Sequence, residues 1–192
     1  RARAEAAARG SGESALFAQG CLAMAADDYK GAERAFEKLV NEDAGSAVYH
    51  FYLGQAYGAQ AQRANVLSKA SLARKTKAEF ERAVQLDPES VDARAGLVQY
   101  YSQAPGIMGG SMDRAREQLA EIRKRNAYRA GLLAAQLAGR DKDAAAMARE
   151  YGQLAAQFPD SAAPHSALVQ VYSQQKQWDE AFRAVDRWLA AQ

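Results

Sequence analysis

Apolar positions along this chain recur three, four and seven residues apart, as in Ala32, Phe36 and Leu39, with polar residues between them. That spacing lines one face of a helix, and no stretch alternates in the two-residue rhythm of a strand. The same layout returns downstream. Val185 and Trp188 follow Trp178-Asp179-Glu180-Ala181 at the offsets at which Phe36 and Leu39 follow Asp28-Tyr29-Lys30-Gly31-Ala32. Small residues (Gly20, Gly54, Ala32, Ala115, Ala144, Ala181) sit where two helices must approach, and Phe36, Phe80, Leu119 and Trp188 are large enough to fill the neighbouring groove. Asp87-Pro88-Glu89-Ser90 and Phe158-Pro159-Asp160-Ser161 each end a helix and offer a serine to cap the next. The pattern predicts an all-α chain of ten helices in five hairpins. Leu53, Leu97, Leu168, Phe36, Phe80 and Trp188 are its expected core.

Three phrases make the repetition explicit: Tyr52-Leu53-Gly54-Gln55-Ala56-Tyr57, Gly96-Leu97-Val98-Gln99-Tyr100-Tyr101 and Ala167-Leu168-Val169-Gln170-Val171-Tyr172. Gly20 and Gly54 are 34 residues apart, as are Val98 and Leu132, while Gly54 to Val98 spans 44 and Leu132 to Val169 spans 37. A period of about 34 residues is that of helix-turn-helix repeat arrays. In these phrases and this period the chain resembles the tetratricopeptide-repeat proteins. The resemblance implies a right-handed superhelical solenoid with repeats at about 13–45, 46–89, 90–125, 126–160 and 161–192, and an N-terminal extension or cap at 1–12. The fourth repeat is degenerate, with Gly131 where leucine is usual, and rests on Tyr128, Leu132, Met147, Tyr151 and Leu154.

The long spacing places ten extra residues between Gly58 and Thr76, with neither glycine nor proline to break helicity, so both helices of the second hairpin should lengthen. The third repeat carries a shorter insertion, Ala104-Pro105-Gly106-Ile107-Met108-Gly109-Gly110-Ser111. There Pro105 stops one helix, the glycines permit positive φ and Ser111 caps the next. Both insertions fall on the same edge of a stacked array. Pro105, Gly106, Ile107, Met108, Gly109 and Gly110 are therefore read as an edge contact, with Ile107 and Met108 buried against Val66, Leu67 or Leu72. A phosphate cradle is the sharper alternative, but the loop lacks the lysine and serine or threonine of a P-loop and follows no strand. An extended second hairpin beside such a glycine-rich turn also resembles bacterial extracytoplasmic members of the family, which leans the compartment toward the periplasm, with cytoplasmic as the alternative.

Composition narrows the chemistry. The net charge is +2 over 192 residues, which gives no whole-molecule attraction to nucleic acid. No run is apolar and long enough to span a membrane. Between Ala44 and Ala78, however, Arg63, Lys69, Arg74, Lys75 and Lys77 occur with no acidic residue, a candidate for docking an acidic partner or simply a solvated face. Cys21 is the lone cysteine, and His50 and His165 lie three repeats apart, so neither a disulfide nor a metal site is expected. Both histidines fall at the fourth position of a first helix, where a packing role is the simpler reading. Glu33 and Glu37 read as a solvated stripe. No nucleophile elbow occurs, so the chain is expected to be no enzyme and to need no cofactor.

What remains is surface. The repeat register implies a groove lined by first helices, with Phe17, Cys21 and Met24 in the first repeat, Phe51 and Gln55 in the second, and Gln99 and Gln103 in the third. Arg129, Leu133 and Gln136 follow in the fourth and Gln170 and Gln174 in the fifth. Glutamine amides both donate and accept, which suits the main chain of an extended peptide. The carboxylate clamp that tetratricopeptide proteins use on chaperone tails is not matched, because Phe17, Cys21 and Gln55 stand at its positions. The resulting reading is a scaffold that binds a protein or extended peptide. The alternatives are a small-ligand binder, with a pocket near Phe17, Met24, Phe51 and Leu53, and an oligomerisation module. Self-association would use the last helix, where Phe182 and Leu189 are expected to stay uncovered.

Overall fold

The computed structural model describes residues 12–190, so the extension expected at 1–12 lies, but for Gly12, outside the described residues. Among the described residues there are ten α-helices, a single 3-10 turn and no strand. The helices are α1 (Glu13–Ala25), α2 (Tyr29–Glu42), α3 (Ala47–Arg63), α4 (Val66–Leu86) and α5 (Val91–Gln103). After the 3-10 turn Gly106–Met108 come α6 (Met112–Arg125), α7 (Ala127–Arg140), α8 (Ala144–Gln157), α9 (Ala162–Gln174) and α10 (Trp178–Ala190). They form two compact units that divide between Gln118 and Leu119, within α6.

Three hairpins close through one turn. Asp27, Lys142 and Lys176 each take positive φ, at 62°, 57° and 59°. In each case the next backbone N–H reaches back five residues, from Asp28 to Ala23, Asp143 to Ala138 and Gln177 to Tyr172. This satisfies carbonyls that a helix end would otherwise leave bare. The two remaining hairpins lack this turn, and they are the two with insertions. In the first, α3 and α4 run 17 and 21 residues, against 13 to 14 in the others, and meet at Asn65, whose side chain caps α4 by accepting from Ser68 N–H.

In the first unit the core repeats one device: a glycine on one helix admits a ring from its neighbour. A Cβ on Gly20 would stand 2.5 Å from Phe36, and one on Gly54 or Gly96 would stand 2.8 or 2.9 Å from Phe80. Phe36 is packed with Leu39, Leu53 and Tyr57, and Phe80 with Leu97, Tyr100, Tyr101 and Ala115. The second unit uses Leu154 against Gly131 in the same way and centres on Ala155, Leu168 and Ala184. Trp188, expected in the core, is only half-buried. It stacks on His165 at 6.0 Å, and its indole N–H finds no acceptor among the described residues.

The expected serine caps hold at Ser90 and Ser111, which accept from Ala93 and Arg114 N–H, and Ser46 caps α3 likewise by accepting from Tyr49 N–H. Ser161 differs: its hydroxyl pairs with Tyr128 Oη at 2.9 Å and makes no cap. The histidines prove to belong to a repeated brace. His50 Nε2 meets the carbonyl of Ala44 and His165 Nε2 that of Pro159, both at 3.1 Å, and Arg94 Nε does the same to Pro88 at 3.0 Å. Each ties the first turn of a helix to the linker six residues before it. His50 Nδ1 also lies 2.6 Å from Glu79 Oε2.

Glu33 and Glu37 are not a solvated stripe. Tyr57 donates to Glu37 at 2.5 Å, Gln60 donates to Glu33 at 2.7 Å, and Lys75 covers the Tyr57 ring at 4.5 Å. The arrangement recurs 44 residues on, where Tyr101 donates to Glu81 at 2.7 Å beneath Arg114. Burial, and then the carboxylate that each phenol bonds, hold Tyr57 and Tyr101 far above the ordinary tyrosine range. A folded value above the unfolded value of about 10 means that their stabilising contribution is intact below that pH and is lost as pH rises beyond it. An alkaline titration should therefore show these two phenols ionising together with loss of helicity. Smooth ionisation of all nine tyrosines with the helices intact would contradict the buried staple.

Candidate functional site

The glycine-rich insertion folds back on α5 through a closed set of hydrogen bonds. Met108 and Gly110 N–H donate to the Pro105 carbonyl, Ser111 N–H to Tyr101, and the Tyr100 hydroxyl to the Met108 carbonyl at 2.5 Å. Met108 packs on the cluster that contains Phe80, Ala73 and Tyr100. The expected mutual burial of the two insertions is met only in part: Met108 packs on the cluster that holds Ala73 of the lengthened hairpin, while Leu72 packs against the other cluster, with Leu53 and Tyr57. Ile107 is 95% exposed, and Val66 and Leu67 are 82% and 88% exposed. The reason is reach: the loop lies beside Lys77, whose Nζ would be 3.5 Å from a Cβ on Gly109, more than two helical turns short of the Val66–Leu67 tip.

The lengthened hairpin and the folded loop instead border a half-open cleft. A cavity of about 560 Å³ lies between α3, α4, α5 and the loop. Its apolar walls are Ala61, Ala73, Phe80, Ala104, Pro105 and Met108, with Thr76 and Tyr100 beside them. Gln55, Gln62, Gln99 and Gln103 converge on it, and Lys69 is its single charged lining residue. None of these five side chains has a hydrogen bond or ion pair with any described residue. Thr76 is already committed, donating to the Leu72 carbonyl at 2.9 Å.

The cavity thus gathers Gln55, Gln99 and Gln103 from the predicted groove, Pro105 and Met108 from the predicted edge, and Lys69 from the basic run. Near Phe17, Met24, Phe51 and Leu53, where a pocket was expected, the described side chains pack on one another. Phe17 meets Phe36, Tyr49 and Tyr52 ring to ring at 4.9 to 6.0 Å, and Cys21 and Met24 pack against the same cluster. Phe51 lies on Tyr52 and Phe80, and Leu53 is buried. That end of the register is filled with its own aromatic side chains. Burial raises the Cys21 thiol above its ordinary range, as for a packing residue rather than a nucleophile.

The basic run is divided in the same way. Arg63 pairs with Asp27 at 3.0 Å, Lys75 stands 3.9 and 4.0 Å from Glu33 and Glu37, and Lys77 stands 3.7 Å from Glu81. Lys69 and Arg74 alone of the five are exposed without an ion pair among the described residues. In the second unit Arg129, Gln136, Gln170 and Gln174 are exposed and Leu133 is half-buried. On α10, Phe182 and Leu189 are 67% and 65% exposed.

The sequence signal for the cavity was the run of small residues Gly58, Ala59, Ala61 and Ala73 inside the lengthened hairpin. Helices that extend with small facing side chains leave a gap between them, and the gap is missed when an insertion is read only as added length.

No family model matches the chain, and no curated protein matches it. Among solved structures it is similar to TTC0263, a thermophilic tetratricopeptide-repeat protein of Thermus thermophilus, with a TM-score of 0.69 over 82% of this chain and 80% of that one at 14% identity. Pseudomonas aeruginosa pilF aligns with 99% of this chain and 78% of its own at a TM-score of 0.65 and 11% identity. MamA aligns over 93% and 90% at 0.58 and 17% identity.

Proposed function

We propose, from a tetratricopeptide-repeat fold as premise, that this chain is a non-catalytic scaffold that holds an extended segment of another protein along its first helices. The observation that carries this reading is the set of amide side chains without a hydrogen bond to any described residue, Gln55, Gln99 and Gln103, at register positions where repeats of this fold meet their guests. An extended peptide brings unpaired N–H and C=O groups at regular intervals, and a carboxamide answers either. Fold alone does not assign the guest. Cross-linking followed by identification of the bound protein supplies a partner on which the reading is tested. The double substitution Gln99→Ala and Gln103→Ala should then weaken that partner about ten-fold, from two hydrogen bonds of about 0.5–1.5 kcal/mol each. An unchanged affinity would remove these glutamines from the interface.

A second reading, binding of a small molecule, is supported by the half-open cleft between α3, α4, α5 and the loop. A volume of about 560 Å³ falls within the roughly 300–1,000 Å³ of small-ligand pockets. Apolar walls with a few convergent polar groups are the usual lining of such a site.

A further inference from the structure

We propose that the cavity of the first unit binds a small organic acid: one carboxylate carried on an apolar chain or ring. This rests on the small-molecule reading and names the class of ligand. Shape and polarity come first. The floor, made by Phe80, Ala73 and Met108, has no donor or strong acceptor in its side chains, so the inner part of a ligand must be apolar. The charge of the ligand is set by Lys69. It is exposed at the cavity, it is the one charged residue in the lining, and no carboxylate lines the space with it.

Lys69 is not held by any described carboxylate of the protein as two of its neighbours on α4 are. Lys75 and Lys77 are each placed within 4.0 Å of a glutamate, whereas Lys69 has no ion pair with any described residue. A cationic ligand would meet Lys69 with nothing to offset the repulsion. A neutral alcohol would forgo a charge-assisted bond, roughly twice as strong as a neutral one. A dicarboxylate would leave its second charge against the apolar floor, since the lining holds one cation only. The four unpartnered glutamines complete the match, because carboxamide N–H groups donate to the second carboxylate oxygen.

Isothermal titration calorimetry with octanoate, 1-octanol and octylammonium tests this on the full chain. These probes share an apolar tail and differ in head-group charge. Octanoate should bind tightest, shift the Met108 methyl resonance, and weaken about ten-fold in Lys69→Gln, with 1-octanol affected little. Arg74→Gln removes the other unpaired cation of the basic run, which lies outside the cavity lining, and should leave octanoate binding unchanged. Equal affinity for octanoate and 1-octanol, or equal losses in Lys69→Gln and Arg74→Gln, would overturn the acid while leaving the cavity a ligand site. No binding of any probe, or binding that leaves the Met108 methyl unmoved, would overturn the small-molecule reading itself.

Discussion

Phe80→Ala should cost about 3–5 kcal/mol of stability, the range for emptying a large aromatic site in a packed interior. Phe80 is 6% exposed and is held from two sides, since Gly54 on α3 and Gly96 on α5 both leave room for its ring. The same ring makes the floor of the cavity, so its loss joins a new void to an existing one. Gly54 sharpens the test. In the wild-type chain Gly54→Ala puts a methyl 2.8 Å from a ring already wedged against Gly96, and overpacking of this kind costs about 1–3 kcal/mol. In the Phe80→Ala background that contact is gone. Alanine then exceeds glycine in helix propensity by about 1 kcal/mol, so the same substitution should stabilise. Urea unfolding of the four proteins in the cycle reads this change of sign directly. Additive effects would mean that Phe80 is free to shift and that the glycines do not fix it.

The same pair of residues shows how much of this protein was legible in its sequence. A glycine on a first helix and a phenylalanine on the second implied close helices with a ring between them, and Gly20 with Phe36 and, across the ten-residue insertion, Gly54 with Phe80 meet in that way. Both are contacts within one hairpin, which the local period specifies. The lengthened α3 and α4 were equally readable, because nothing between Gly58 and Thr76 interrupts a helix. Contacts across hairpins were not. That Glu37 bonds Tyr57 while Lys75 covers the ring depends on three helices at once, and a carboxylate four residues from another looks the same whether solvated or clamped. The cavity has the same cause. Gln55, Lys69 and Met108 lie on different elements, and their convergence follows from where the loop folds rather than from any one segment.

The loop supplies the second large effect, through glycines that the sequence could not tell apart. Gly106, Gly109 and Gly110 all read as positions that permit positive φ, but only Gly109 has it, at 86°. Gly106 faces open space, so Gly106→Ala should leave stability unchanged or raise it slightly by restricting the unfolded chain. Gly109→Ala should cost about 1–2 kcal/mol for a left-handed residue that bears a Cβ. Gly110→Ala should be the most damaging of the three. Its Cβ would lie 1.7 Å from the Ala104 carbonyl oxygen, a backbone atom that no change of rotamer can move. The chain must then give up the bonds from Gly110 N–H to Pro105 and from Ser111 N–H to Tyr101, which hold Pro105 and Met108 against the cavity. A loss of about 3 kcal/mol is expected, at the upper end for forced overpacking. Amide exchange at Gly110 and Ser111 should accelerate with it, while the α3–α4 tip stays protected as before. Equal behaviour of Gly106→Ala and Gly110→Ala would mean that the loop is not held in this closed form, and the wall that it gives the cavity would go with it.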